Sequence, residues 1–166
     1  MSTRKVVRGK SDKGGFALLE ALVSAGILST VLAGAIGALL ISTQSASTNG
    51  ARVEAAYLAD EGIEAVRILR DNGWGANIAG HAPSEAFYLE WDGATWVATT
   101  TNSLIDNIFE RSIELADVYR NGSEQIAENG SLDSDTKLIT VTVSWQSSDA
   151  TSSRTLSAYI TNLFDN

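Results

Sequence analysis

Hydrophobic positions along the chain follow three regimes. From Phe16 to Ile41 the sequence reads FALLEALVSAGILSTVLAGAIGALLI, apolar on every side with a single charge at Glu20. From Ala21 to Ala51 there are 31 residues without an ionisable side chain. As a helix, residues 21–41 would rise about 32 Å, enough for a bilayer core of about 30 Å. After a polar stretch from Ser42 to Gly50 a helical period sets in. Ala55, Leu58/Ala59, Gly62, Ala65/Val66 and Leu69 form one stripe, with Glu54, Asp60, Glu61, Glu64, Arg67 and Asp71 on the other side. Glu64–Arg67 and Arg67–Asp71 have the spacing of helix-surface pairs. Asn72-Gly73 supplies a stop, with Gly73 as a left-handed cap. The pattern predicts a helix from Phe16 to Asp71, about 84 Å long if unbroken. An amphipathic second half implies a domain for that half to lie on.

Downstream the period drops to two. Phe87–Trp91 and Ala94–Ala98 flank Asp92-Gly93, which predicts a β-hairpin on a two-residue type I′ turn. Phe109 to Leu115 alternates. Lys137 to Trp145 alternates cleanly, with Ile139, Val141, Val143 and Trp145 on one face. Arg154 to Leu163 reads as its partner across a polar loop at Gln146–Ser153. One long helix followed by an antiparallel sheet with one covered face is an α+β chain. The expected divisions are 1–15, 16–41, 42–72 and a β-rich 73–166.

Charge divides the chain along the same lines. The 166 residues hold 12 Lys+Arg against 20 Asp+Glu, a net of -8. Residues 1–15 carry Arg4, Lys5, Arg8, Lys10 and Lys13 against Asp12 alone, a net of +4. Beyond Ala51 there are 7 basic and 18 acidic residues. The basic flank places the N-terminus in the cytoplasm and everything beyond residue 51 outside it. An acidic exported part argues against duplex nucleic-acid binding, which needs a concentrated basic surface.

The absence of Cys excludes a disulfide framework, a thiolate metal site and a Cys nucleophile, and one His excludes a His-rich metal site. Asp133-Ser134-Asp135 offers oxygens for Ca²⁺ but lacks the rest of a calcium-loop spacing, so Asp133 and Asp135 form only a weak metal candidate. No nucleophile–base set and no phosphate-cradling loop is visible, so neither an enzyme nor a cofactor is expected. Asn121-Gly122-Ser123 and Asn129-Gly130-Ser131 read as turns rather than glycosylation sites. His81, beside Pro83 in a small-residue connector, is expected to be exposed. Trp74, Trp91, Trp96 and Trp145 are expected in the core or an interface.

Glu20 is the most informative residue. A carboxylate costs roughly 2.5–3.5 kcal/mol near the centre of a membrane helix, less near the interface, and an anchor gains nothing from it. No Lys, Arg or His follows nearby, so the obvious countercharge is a newly made α-amino terminus. Lys13-Gly14-Gly15-Phe16-Ala17-Leu18-Leu19-Glu20 resembles the class III signal of type IV prepilins and pseudopilins. The resemblance implies a pilin-like fold and cleavage between Gly15 and Phe16 by the membrane prepilin peptidase, which also methylates Phe16. It also implies assembly through Glu20, pairing with the Phe16 amine of a neighbouring pilin subunit at an inner-membrane platform. The chain would begin as a single-pass cytoplasmic-membrane protein in contact with lipid and end in a surface filament. Ala59–Glu64 followed by Arg67, Arg70, Asp71 and Asn72 also resembles, more loosely, the helix end of some minor-pilin-like proteins.

The chain lacks the mid-helix Pro of many pilins and has Gly26, Gly34 and Gly37 there. Gly34 and Gly37 either loosen the helix on packing or allow close helix approach. Two alternatives stand beside the filament reading. One is a signal-anchored extracytoplasmic binding module that keeps its N-terminus. The other is a secreted protein cut near Ser45-Ala46-Ser47, for which the apolar run exceeds the roughly 7–15 residues of a signal core.

Overall fold

A computed structural model describes residues 13–147 and 150–164. Most of the basic leader, residues 1–12, therefore lies outside the described residues, as do two positions of the expected 146–153 loop. The chain forms two units, Met1–Ser47 and Thr48–Asn166. In the first unit all described residues belong to helix α1, which spans Lys13–Asp71. It is the single described helix long and apolar enough to cross a membrane. Three of its hydroxyls bond within the helix: Ser29 Oγ and Thr30 Oγ1 donate to the Gly26 carbonyl at 2.9 and 2.8 Å, and Thr43 Oγ1 donates to that of Leu40 at 2.9 Å. Polar groups satisfied in this way need no water, as a helix in hydrocarbon requires.

The second unit packs the rest of α1 on an antiparallel sheet. The elements after α1 are α2 (Trp74–Asn77), β1 (Ala86–Trp91), β2 (Trp96–Thr99), β3 (Phe109–Arg120), β4 (Ile126–Ala127), β5 (Ser131–Gln146) and β6 (Thr151–Thr161). The strand order is β2-β1-β3-β5-β6, with β4 added at the end of β3. The architecture is α+β, a long N-terminal helix and a C-terminal antiparallel sheet.

Register explains the core. Ile113 lies opposite both Phe87 and Val141, and Val141 lies opposite Leu156, so one row of apolar side chains crosses four strands. Phe109, Leu115, Ile139, Val143 and Trp145 extend that face, and the helix stripe Ala55, Leu58, Ala59, Ile63, Val66 and Leu69 closes over it. The opposite face is polar: Thr140 and Ser157 share a hydrogen bond across the β5–β6 ladder, as do Thr142 and Thr155. Alternation alone dictates this division, because successive side chains point to opposite faces. Gly62 sits where the helix comes nearest: a Cβ there would lie 2.8 Å from Val141 Cγ1 and 3.2 Å from Arg111 Cδ. Only hydrogen fits that gap.

Several local expectations are corrected. The β1–β2 hairpin forms, but Trp91 pairs with Trp96, leaving a four-residue loop in place of a two-residue turn. The reason is Asp92, whose Oδ1 accepts the amides of Ala94 and Thr95, each at 2.9 Å. Those amides are thereby withdrawn from the ladder. Gly73 has the positive φ expected of a terminator (146°), but its ψ of 107° lies outside the left-handed helical region. Arg67 pairs with Glu64 as expected, whereas Asp71 is taken by Arg70. His81 is half-buried rather than exposed, stacked on Phe87 with ring centroids 4.3 Å apart. Trp74 and Trp145 are core residues, while Trp91 packs edge-on against Trp96 in the hairpin.

Candidate functional site

The first candidate is the membrane-type segment of α1. Thirteen large apolar side chains between Phe16 and Ile41 are at least half exposed, Phe16 at 77%. A surface of that extent does not persist in water and requires lipid or a partner to cover it. Within it lies Glu20, exposed and without an ion pair or hydrogen bond to any described residue. Phe16 and Glu20 are four residues apart and so share a helix face. Gly15 is exposed immediately before Phe16. Helix α1 passes through Gly34 and Gly37 without interruption, and a Cβ at either position would meet nothing within 4 Å. Both the loosening and the close-approach readings of these glycines remain compatible with that open surface.

The second unit holds a buried cation that sequence reading did not single out. Arg111 is 5% exposed; its Nη1 donates to the Leu58 carbonyl at 3.1 Å and to Glu61 Oε2 at 2.7 Å. Leu58 and Glu61 are one helical turn apart, so one guanidinium reaches both. The carbonyl uses its second lone pair, since the first serves the helix. The other side of the guanidinium rests on Trp96, 5.1 Å from the ring centroid. A signal for this was present: Arg111 has the same parity as Phe109, Ile113 and Leu115, which places a charge on the inward face of a strand. Its role is to tie helix to sheet.

Asp133 and Asp135 meet different partners. Asp133 Oδ2 accepts from Arg120 Nε at 2.5 Å, and its Oδ1 accepts the Asp135 amide at 3.0 Å. Arg120, joined by the Thr136 side chain, holds the Asp133 carboxyl below the usual carboxylate range. Asp135 Oδ1 takes a long bond of 3.4 Å from Asn162 Nδ2. A carboxylate already engaged by a guanidinium is a poor cation ligand, and no group of three His, Cys, Asp or Glu among the described residues has metal-site geometry. The arrangement is an ion pair that staples the β3–β5 ends, where the register shifts between Asp117 and Val118.

Comparison with protein-family profiles, curated proteins and solved structures finds no match to this chain.

Proposed function

We propose that this chain is the precursor of a structural subunit of a type IV pilus or a related secretion pseudopilus. The observation that carries the reading is the exposed apolar helix with one carboxylate, Glu20, unpaired among the described residues and the fifth residue counted from Phe16. Cleavage after Gly15 by the prepilin peptidase creates an ammonium at Phe16, which the same enzyme methylates. Each of the two charges is costly in hydrocarbon, and they compensate one another only when Glu20 of an incoming subunit meets Phe16 of one already in place. Docking thereby acquires direction and register. The thirteen apolar side chains contact lipid before assembly and neighbouring subunits afterwards, and the acidic β-domain forms the filament surface. The role is structural rather than catalytic.

N-terminal sequencing and intact mass of the membrane-extracted protein provide the test. A mature chain beginning at methylated Phe16 is expected. Glu20→Ala should leave that processing largely intact and abolish incorporation into filaments. Normal filaments from this variant refute the assembly role. A retained Met1 points instead to a signal-anchored binding module.

A further inference from the structure

Beyond residue 51 the chain has 7 cationic side chains against 18 carboxylates. Among the described residues five of these cations are ion-paired: Arg67 with Glu64, Arg70 with Asp71, Arg111 with Glu61, Arg120 with Asp133, and Lys137 with Asp117. The two that remain are Arg52 of α1 and Arg154 of β6, both exposed. They line the same groove, about 590 Å³ in volume, in the Thr48–Asn166 unit. Val53 and Tyr57 add an apolar wall, Trp145 contributes from β5, and Asp60 is the one carboxylate among the described lining residues. In a strongly acidic protein, countercharge for an arginine is abundant. Two guanidiniums at one concavity with no ion pair to any described residue leave a local positive potential that draws an anion.

The other wall of the groove is β6, the last strand of the sheet, hydrogen-bonded to β5 alone. It is 11 residues long and keeps one unbroken register with β5 from Thr151 to Thr161. The opposite edge, β2, has only 4 residues. Natural sheets protect exposed edges with short strands, proline, bulges or rows of charge. The β6 sequence TSSRTLSAYIT has no Pro, no Gly and one charge, Arg154, which lies in the groove. A long unguarded edge accepts an added strand through its free backbone groups.

We propose that this groove docks an acidic peptide segment of a partner protein. The segment lies extended along β6, with its carboxylates on Arg52 and Arg154 and an apolar side chain against Val53 and Tyr57. Backbone pairing supplies affinity that is independent of side chains, and the two arginines select acidic over basic segments. Asp60 disfavours a carboxylate placed beside it, which limits the registers available. The inference is independent of the filament assignment, since it uses the β-domain alone.

The test uses the full chain in detergent micelles and a fluorescein-labelled ten-residue peptide of alternating Thr and Glu, read by fluorescence anisotropy. Saturable binding is expected, with Kd raised about fivefold to tenfold in either R52Q or R154Q, as for loss of one charge-assisted contact. The same peptide N-methylated on alternate amides should bind at least about tenfold more weakly, because it cannot complete a ladder. A Thr–Lys counterpart should not bind. Equal binding by the N-methylated peptide overturns strand addition, and unchanged Kd in both arginine variants overturns the groove. Absence of peptide binding, together with R52Q-sensitive binding to phosphatidylglycerol vesicles, assigns the arginines to a lipid surface and also overturns it. Both side chains are exposed and make no ion pair with a described residue, so an unchanged thermal transition in each variant confirms that binding alone was altered.

Discussion

Replacing Gly62 by Ala sets two effects of known size against each other. Alanine gains about 1 kcal/mol over glycine in a helix interior. At Gly62 the new Cβ would lie 2.8 Å from Val141 Cγ1, 3.2 Å from Arg111 Cδ and 3.4 Å from Val141 Cγ2. Carbon atoms in contact ordinarily stand 3.5–4.0 Å apart, so the nearest approach is short by about 0.7 Å. Val141 is fully buried, held between Ile113 and Leu156 in the sheet, and stiff at χ1. Relief therefore comes from the helix moving off the sheet, which also stretches the Arg111–Leu58 bond of 3.1 Å. Overpacking of this kind costs about 1–3 kcal/mol. It offsets or outweighs the propensity gain, for a net loss of up to about 2 kcal/mol. Gly50 provides the control, being exposed in the same helix with nothing within 4 Å of an added Cβ. Gly50→Ala should stabilise by up to about 1 kcal/mol. Thermal unfolding of the full chain in detergent, followed by fluorescence of the buried Trp74 and Trp145, reads the difference. At about 4 °C per kcal/mol for a domain of this size, Gly62→Ala should lower Tm by up to about 8 °C and Gly50→Ala should raise it. A Tm for Gly62→Ala that rises like the control refutes the close helix–sheet contact.

Other expectations follow from the ion pairs of the β-domain. Arg111→Met keeps the buried stem and removes a charge whose partner Glu61 is 48% exposed, so stability should change by no more than about 1 kcal/mol. Arg111→Ala empties the same space and should cost about 3 kcal/mol in denaturant titration; equal losses in the two variants would mean that the guanidinium, not its stem, dominates. Because Arg120 holds the folded Asp133 carboxyl below its ordinary value, the stability it contributes is present above the unfolded aspartate pKa of about 3.9 and is lost as pH falls through the lower folded value. Thermal scans from about pH 5 downward should therefore show a weaker acid dependence in Asp133→Asn than in the parent; parallel curves would contradict the pairing.

Residue type and spacing made much of the architecture legible. The uniform apolar run ending at Ile41 and the later stripe through Leu69 both lie in α1, whose observed end at Asp71 coincides with the expected one. Alternation from Lys137 to Trp145 placed four buried residues on one face of β5 correctly. These features depend on local period, which the chain carries without reference to distant residues. Glu20 stood out for a related reason: a charge inside an apolar run is conspicuous in one dimension.

What the sequence left open depends on contacts between positions far apart. The hairpin loop is a local exception, lengthened because the Asp92 carboxylate captured the amides two and three residues on. Asp133 turned from a candidate calcium ligand into the partner of Arg120, 13 residues away. Arg111 became a core residue because Leu58 and Glu61, 53 and 50 positions earlier, offer acceptors beside it. The meeting of Arg52 and Arg154 in one groove joins residues near opposite ends of the Thr48–Asn166 unit. Hydrophobic period is a sum over neighbours and can be read along a line. Ion pairing, close packing at Gly62 and the exposure of the β6 edge are decided by which strands lie beside which, and only the tertiary structure sets that order.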